Sequence, residues 1–140
     1  MVHFETAIDI AATRDAVWGL LIDAPNYPAW NPTVVAIEGL IEPDERIGVT
    51  SAVDPGRVHH VTVVEYEPEN RMVWRGGLPF GIFSGSRLFL LGDSSAGVRF
   101  EMSEHYGGFL APVISRTIPN LQASFDDFAI ALRDAAEALE

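Results

Sequence analysis

The chain is 140 residues long, 48% hydrophobic and 21% charged, which is the size and composition of one globular domain spanning 1–140 and not of a disordered chain. Twenty acids against nine bases give a formal charge of −11, a field that repels phosphate backbones and argues against nucleic acid as a partner. The absence of cysteine removes disulfides, thiolate chemistry and Cys-based zinc sites, and no apolar run approaches the roughly 20 residues of a membrane span. The N-terminus shows no basic segment followed by an apolar one, so the expected location is cytoplasmic.

Residues 2–10 alternate, with Val2, Phe4, Thr6, Ile8 and Ile10 on one side and His3, Glu5 and Asp9 on the other, which predicts a half-buried strand. Thr13 is placed to cap a helix, and Val17, Leu20, Leu21 and Ala24 recur at helical spacing to about Asp23. Pro25, Pro28 and Pro32 then permit at most one short helical turn. From Thr33 to Tyr106 the pattern is strands and turns, with strands predicted at 34–39, 47–53, 58–66, 72–76, 83–91 and 98–106. Their short connections imply hairpins, hence an antiparallel meander. At the end, Leu121, Phe125, Phe128, Leu132, Ala136 and Leu139 form one apolar stripe of a long amphipathic helix, with Pro119 in its first turn or kinking an earlier start near Val113. The expected fold is α+β, a curved seven-stranded antiparallel sheet wrapped round the C-terminal helix. A sheet curled in this way leaves an apolar space of the kind that holds small molecules.

Three segments carry a resemblance: Ala24-Pro25-Asn26-Tyr27-Pro28-Ala29-Trp30-Asn31-Pro32, Met72-Val73-Trp74-Arg75-Gly76 and Glu104-His105-Tyr106-Gly107-Gly108-Phe109-Leu110. With the element order, they resemble the START-like helix-grip superfamily (SRPBCC), the polyketide cyclase/dehydrase and lipid-transport group, over nearly the whole chain. The resemblance implies a helix-grip fold and a small hydrophobic ligand such as a lipid, polyketide or aromatic. Members range from carriers to cyclases, so the fold does not choose among them. The Trp-x-Ser-x-Arg pattern of aromatase/cyclase members is not matched at Trp74–Leu78, and Arg87 stands where many members have His.

Aligning strands across the Gly92–Gly97 turn pairs Leu91 with Val98, and so Gly85 with Glu104 and Arg87 with Met102. A similar alignment puts Trp74 beside Gly85 and Met72 beside Arg87. Phe100, Met102, Glu104 and Tyr106 then share the inner face, and a slip of one residue would reverse this. Arg87 and Glu104 either form an ion pair at the sheet end with no further role, or point into the pocket and engage a ligand oxygen. In an enzyme, Glu104 would be the acid/base and Arg87 the anion stabiliser. The remaining pocket candidates are Trp30, His60, Tyr66, Trp74, Phe83, Phe89, Phe100, Met102, Phe125 and Phe128. His59 and His60 are strand neighbours and face opposite ways, and parity turns His60 inward. The His, Asp and Glu residues lack metal-site spacing, so no metal is expected. With no nucleotide motif either, no cofactor is expected. The 76–81 segment reads as a hairpin that gates the pocket or as a plain flexible turn. The expected partner is the small hydrophobic molecule alone, the protein being a monomer or homodimer.

Overall fold

The computed structural model describes residues 3–139. Its single sheet has seven antiparallel strands: β1 (Phe4–Ile10), β2 (Val34–Glu38), β3 (Arg46–Ser51), β4 (Asp54–Glu67), β5 (Arg71–Leu78), β6 (Phe83–Ser94) and β7 (Gly97–Gly107). They lie in the order β1-β7-β6-β5-β4-β3-β2, so six strands follow the chain as a meander and β1 joins at the β7 edge. Between β1 and β2 come α1 (Arg14–Ile22), a 3-10 turn at Ala24–Asn26 and α2 (Tyr27–Trp30). After β7 come α3 (Ala111–Ile114), a 3-10 turn at Ser115–Thr117 and the long α4 (Gln122–Ala138). This is the expected helix-grip architecture, a curled sheet holding α4.

The two longer helices, α1 and α4, begin for local reasons. Thr13 is extended, and its hydroxyl accepts from the Ala16 N–H, which satisfies one of α1's orphan donors. Pro119 is not part of α4. Ile118 is extended ahead of it, as a residue before proline prefers, and α4 starts only at Gln122. The apolar stripe then buries Phe125, Phe128, Leu132 and Ala136 against the sheet. Val2, read as the first residue of β1, lies outside the described residues.

Two registers differ from expectation in the same way. Leu91 pairs with Phe100, Arg87 with Glu104 and Gly85 with Tyr106, a slip of two residues. Likewise Trp74 pairs with Arg87 and Met72 with Phe89. The cause is strand length: β6 and β7 continue to Ser94 and Gly97, and β5 continues to Leu78, through residues that read as turn. A slip of two preserves which side chains face inward.

On β4 parity does fail. A bulge lies between Val63, paired with Trp74, and Glu65, paired with Val73, so Val63 and Tyr66 both face inward three residues apart. Upstream of the bulge the inward set is therefore Val61 and Val63. His60 is turned to the outer face and is exposed, which corrects its inward assignment.

Candidate functional site

The concave face divides into a filled part and a part whose residues, among them Phe83, Gly85, Arg87, Glu104 and Tyr106, are half-buried, the open part. Phe89, Phe100, Met102, Phe125 and Phe128 are each at most 1% exposed, so no water-sized void lies against them. Phe128 is the hub: its ring centroid is 6.0 Å from that of Phe100, in a stacked arrangement, 6.2 Å from Phe89 and 5.9 Å from Trp30. Trp74 lies 4.6 Å from Phe89. Pairs at such distances add about 0.5–1.5 kcal/mol each beyond area burial. The expected pocket wall is here mostly core, because α4's aromatics reach into the sheet's concavity and occupy it.

The open part is nearer the β5–β6 turn. One row crosses five strands as Val63, Trp74, Arg87, Glu104 and Phe4. The next row toward the turn is Gly76, Gly85 and Tyr106. Over Gly76 the Val61 side chain takes the space, 2.9 Å from where a Cβ would stand, so Gly85 is the glycine that leaves room beside Tyr106. A Cβ on Gly76 would stand 2.7 Å from the His60 carbonyl oxygen, so glycine lets β4 approach. At Gly85 the same test meets only the Tyr106 ring, at 3.4 Å. Phe83 stacks on Tyr106 at 5.9 Å and completes the wall.

Arg87 and Glu104 meet directly, Nη2 donating to Oε2 at 2.8 Å. Their side chains are 25% and 17% exposed, a half-buried, charge-assisted pair. The guanidinium also lies 4.7 Å from the Phe125 ring centroid, a cation–π contact of about 1 kcal/mol. An apolar face thus carries an ion pair held by its own hydrogen bond and by the Phe125 ring.

Two polar atoms beside the pair, the Trp74 Nε1–H and the Tyr106 hydroxyl, are buried without a well-formed hydrogen bond, as are Trp30 Nε1, Asn31 Nδ2 and Arg71 Nε elsewhere. Leaving such a group unpaired costs about 1–3 kcal/mol, which native folds rarely tolerate without use. Burial pushes the Tyr106 phenol well above the ordinary tyrosine range; Glu104 adds to the rise and Arg87 opposes it. Tyr106 is therefore a neutral donor at physiological pH. Tyr27 is raised in the same way by complete burial, with Arg87 again opposing, and its hydroxyl donates to the Leu21 carbonyl at 2.6 Å.

Of the expected residues, the fold brings together Trp74, Phe83, Arg87, Glu104 and Phe125. Phe89, Phe100, Met102 and Phe128 lie behind them as core. Tyr66 is at the other end of the face, edge-on to Trp18 at 5.5 Å. Trp30 backs the core and lines a shallow outer groove of about 490 Å³ with Pro32 and Ile130. Parity places Tyr106 on this same face, and it joins the expected binding residues only through the fold. Its position two residues from Glu104 was the available signal. Among the described residues no group of His, Asp and Glu is arranged to hold a metal.

Solved structures reproduce this fold at low identity. Protein MLL2253 from Mesorhizobium loti is 12% identical with a TM-score of 0.76, each chain covered to 99%. DR_A0006 from Deinococcus radiodurans is 17% identical with a TM-score of 0.69 over the whole of both chains. The di-domain ARO/CYC BexL from the BE-7585A biosynthetic pathway is 18% identical with a TM-score of 0.71, covering 98% of this chain and 47% of its own. No curated protein matches the sequence. The family model described as polyketide cyclase / dehydrase and lipid transport matches residues 1–137, and the chain belongs to that family.

Proposed function

We propose that the chain binds a small, mostly apolar molecule bearing a hydroxyl or carbonyl oxygen, at the open part of the concave face. The observation that carries this is the pair of buried donors without a well-formed hydrogen bond, Trp74 Nε1–H and Tyr106 O–H, the latter within reach of Glu104 alone, beside the Arg87–Glu104 pair on an apolar wall. With a small shift of the Phe83 and Tyr106 rings, a ligand oxygen would complete the hydrogen bonding of these donors, while Phe83 and Gly85 accept the apolar body. Specificity would then come from a few polar groups and affinity from the wall. 2-Naphthol and naphthalene, which differ by one hydroxyl, are suitable probes for fluorescence titration. Tyr106→Phe should weaken 2-naphthol about fivefold to tenfold and leave naphthalene unchanged. Failure of the native protein to bind either probe would sink the proposal, as would an equal loss for both.

A second reading, a cofactor-independent cyclase, dehydratase or isomerase, is favoured by the likeness to aromatase/cyclase domains. Glu104 would take a proton from carbon beside a ligand carbonyl, the electron pair moving to the carbonyl oxygen. Arg87 and the Tyr106 hydroxyl would hold that developing oxyanion; as it collapses the C=C bond forms, a β-hydroxyl leaves, and Glu104 gives its proton to that hydroxyl to release water, which is the dehydratase case. Glu104→Gln and Arg87→Met should each abolish turnover of an identified substrate in a folded protein. Normal turnover by both variants excludes this mechanism.

A further inference from the structure

Phe80, at the tip of the β5–β6 hairpin, is 91% exposed and has φ of +60°. The left-handed region is strained for a bulky residue, and glycine or asparagine would remove that strain. An aromatic residue here is unfavourable twice, since its ring also stands in water. Folding gives no reason for it. Next to it the chain leaving β7 exposes Phe109, at 70%, together with Leu110 and Val113, and Leu78 is exposed at the base of the hairpin.

These side chains belong to one rim. The Phe109 N–H donates to the Gly81 carbonyl at 3.1 Å and the Leu110 N–H to the Ile82 carbonyl at 3.0 Å. Gly108, at φ +100°, permits the join: a Cβ there would lie 2.6 Å from the Ile82 carbonyl oxygen. Charge is sorted the same way. The chain has twenty acids, yet residues 70–92 and 105–125 contain none, and the exposed cations in those stretches are Arg75 and Arg116.

We propose that Leu78, Phe80, Phe109, Leu110 and Val113 seat this end of the molecule on the surface of a lipid bilayer with neutral headgroups. The tips are convex, and a ring on a hairpin tip offers no groove for a rigid partner. A fluid acyl layer accepts any convex apolar shape. The carboxylate-free rim lets this end approach, while the −11 charge on the rest of the molecule opposes anionic lipid and keeps the acidic end facing water. The rim adjoins the open part of the concave face, so a ligand would enter or leave on the membrane side. Docking itself does not depend on the ligand reading.

Co-sedimentation of the full chain with phosphatidylcholine vesicles, with and without added phosphatidylglycerol, tests this. The native protein should partition onto phosphatidylcholine, and phosphatidylglycerol should weaken that at low salt. Phe80→Ser with Phe109→Ser should reduce partitioning at least about tenfold. Phe80→Gly, which relieves the strained backbone, should give a loss in the same direction in a protein at least as stable as the native one. Unchanged partitioning in these variants would overturn the proposal, and so would no partitioning by the native protein. A native dimer that the double variant makes monomeric would assign the rim to a second copy and equally overturn it. Retained 2-naphthol binding in the double variant separates failure of docking from failure of the ligand site.

Discussion

At one end of the sheet Arg14 gathers the β4–β5 and β6–β7 turns, donating to the Glu69 carbonyl at 2.8 Å, Asn70 Oδ1 at 3.1 Å, the Leu91 carbonyl at 3.2 Å and Asp93 Oδ1 at 2.9 Å. At the other end Trp74 and Tyr106 keep buried donors without a well-formed hydrogen bond and Phe80 stands in water. One end has its turns clamped by a single side chain, with Arg71 Nε the buried donor left there; the other combines two such donors with an exposed aromatic on left-handed backbone. Local departures of this kind gather where a fold serves something other than its own stability. The contrast points to the open end as the working end.

Three substitutions bear on that contrast, beginning with the core that both ends share. Phe128→Ala should cost about 3–5 kcal/mol in denaturant unfolding, because it empties the hub contacted by Tyr27, Trp30, Phe89 and Phe100. A cost under about 1 kcal/mol would mean that the aromatics do not fill the concavity. Arg14→Ala should cost about 1–2 kcal/mol, since the contacts are several but the Asp93 partner is largely in water. A neutral result would remove the claim that the closed end is clamped. Smallest in stability is Gly85→Ala, which should change the melting temperature little, its Cβ making only ordinary contact with Tyr106. It should nevertheless weaken 2-naphthol binding by narrowing the room beside Tyr106, and full binding would move the site elsewhere.

Much of the architecture was legible in local patterns. The alternation from Phe4 to Ile10, the Thr13 cap and the stripe from Phe125 to Ala136 each record one element's burial, and each element formed there. The inward facing of Arg87 and Glu104 survived a two-residue register slip because the strand period is two. Their direct pairing did not follow from the sequence, since it depended on β6 and β7 continuing through Gly92–Ser94 and Gly97. His60 was misplaced because a bulge at Val63/Glu65 leaves no local mark in a run of β-branched residues.

By itself, then, the sequence determined which residues could be strand, helix and turn, and which faces were apolar, because those depend on neighbours a few positions away. Tertiary structure decided how α4's rings fill the concavity, that Trp74 and Tyr106 are among the buried donors left without a well-formed hydrogen bond, and that Phe80 and Phe109 share one rim. These depend on the depth to which separate elements approach one another, a distance set by side-chain volumes and strand register across the whole sheet.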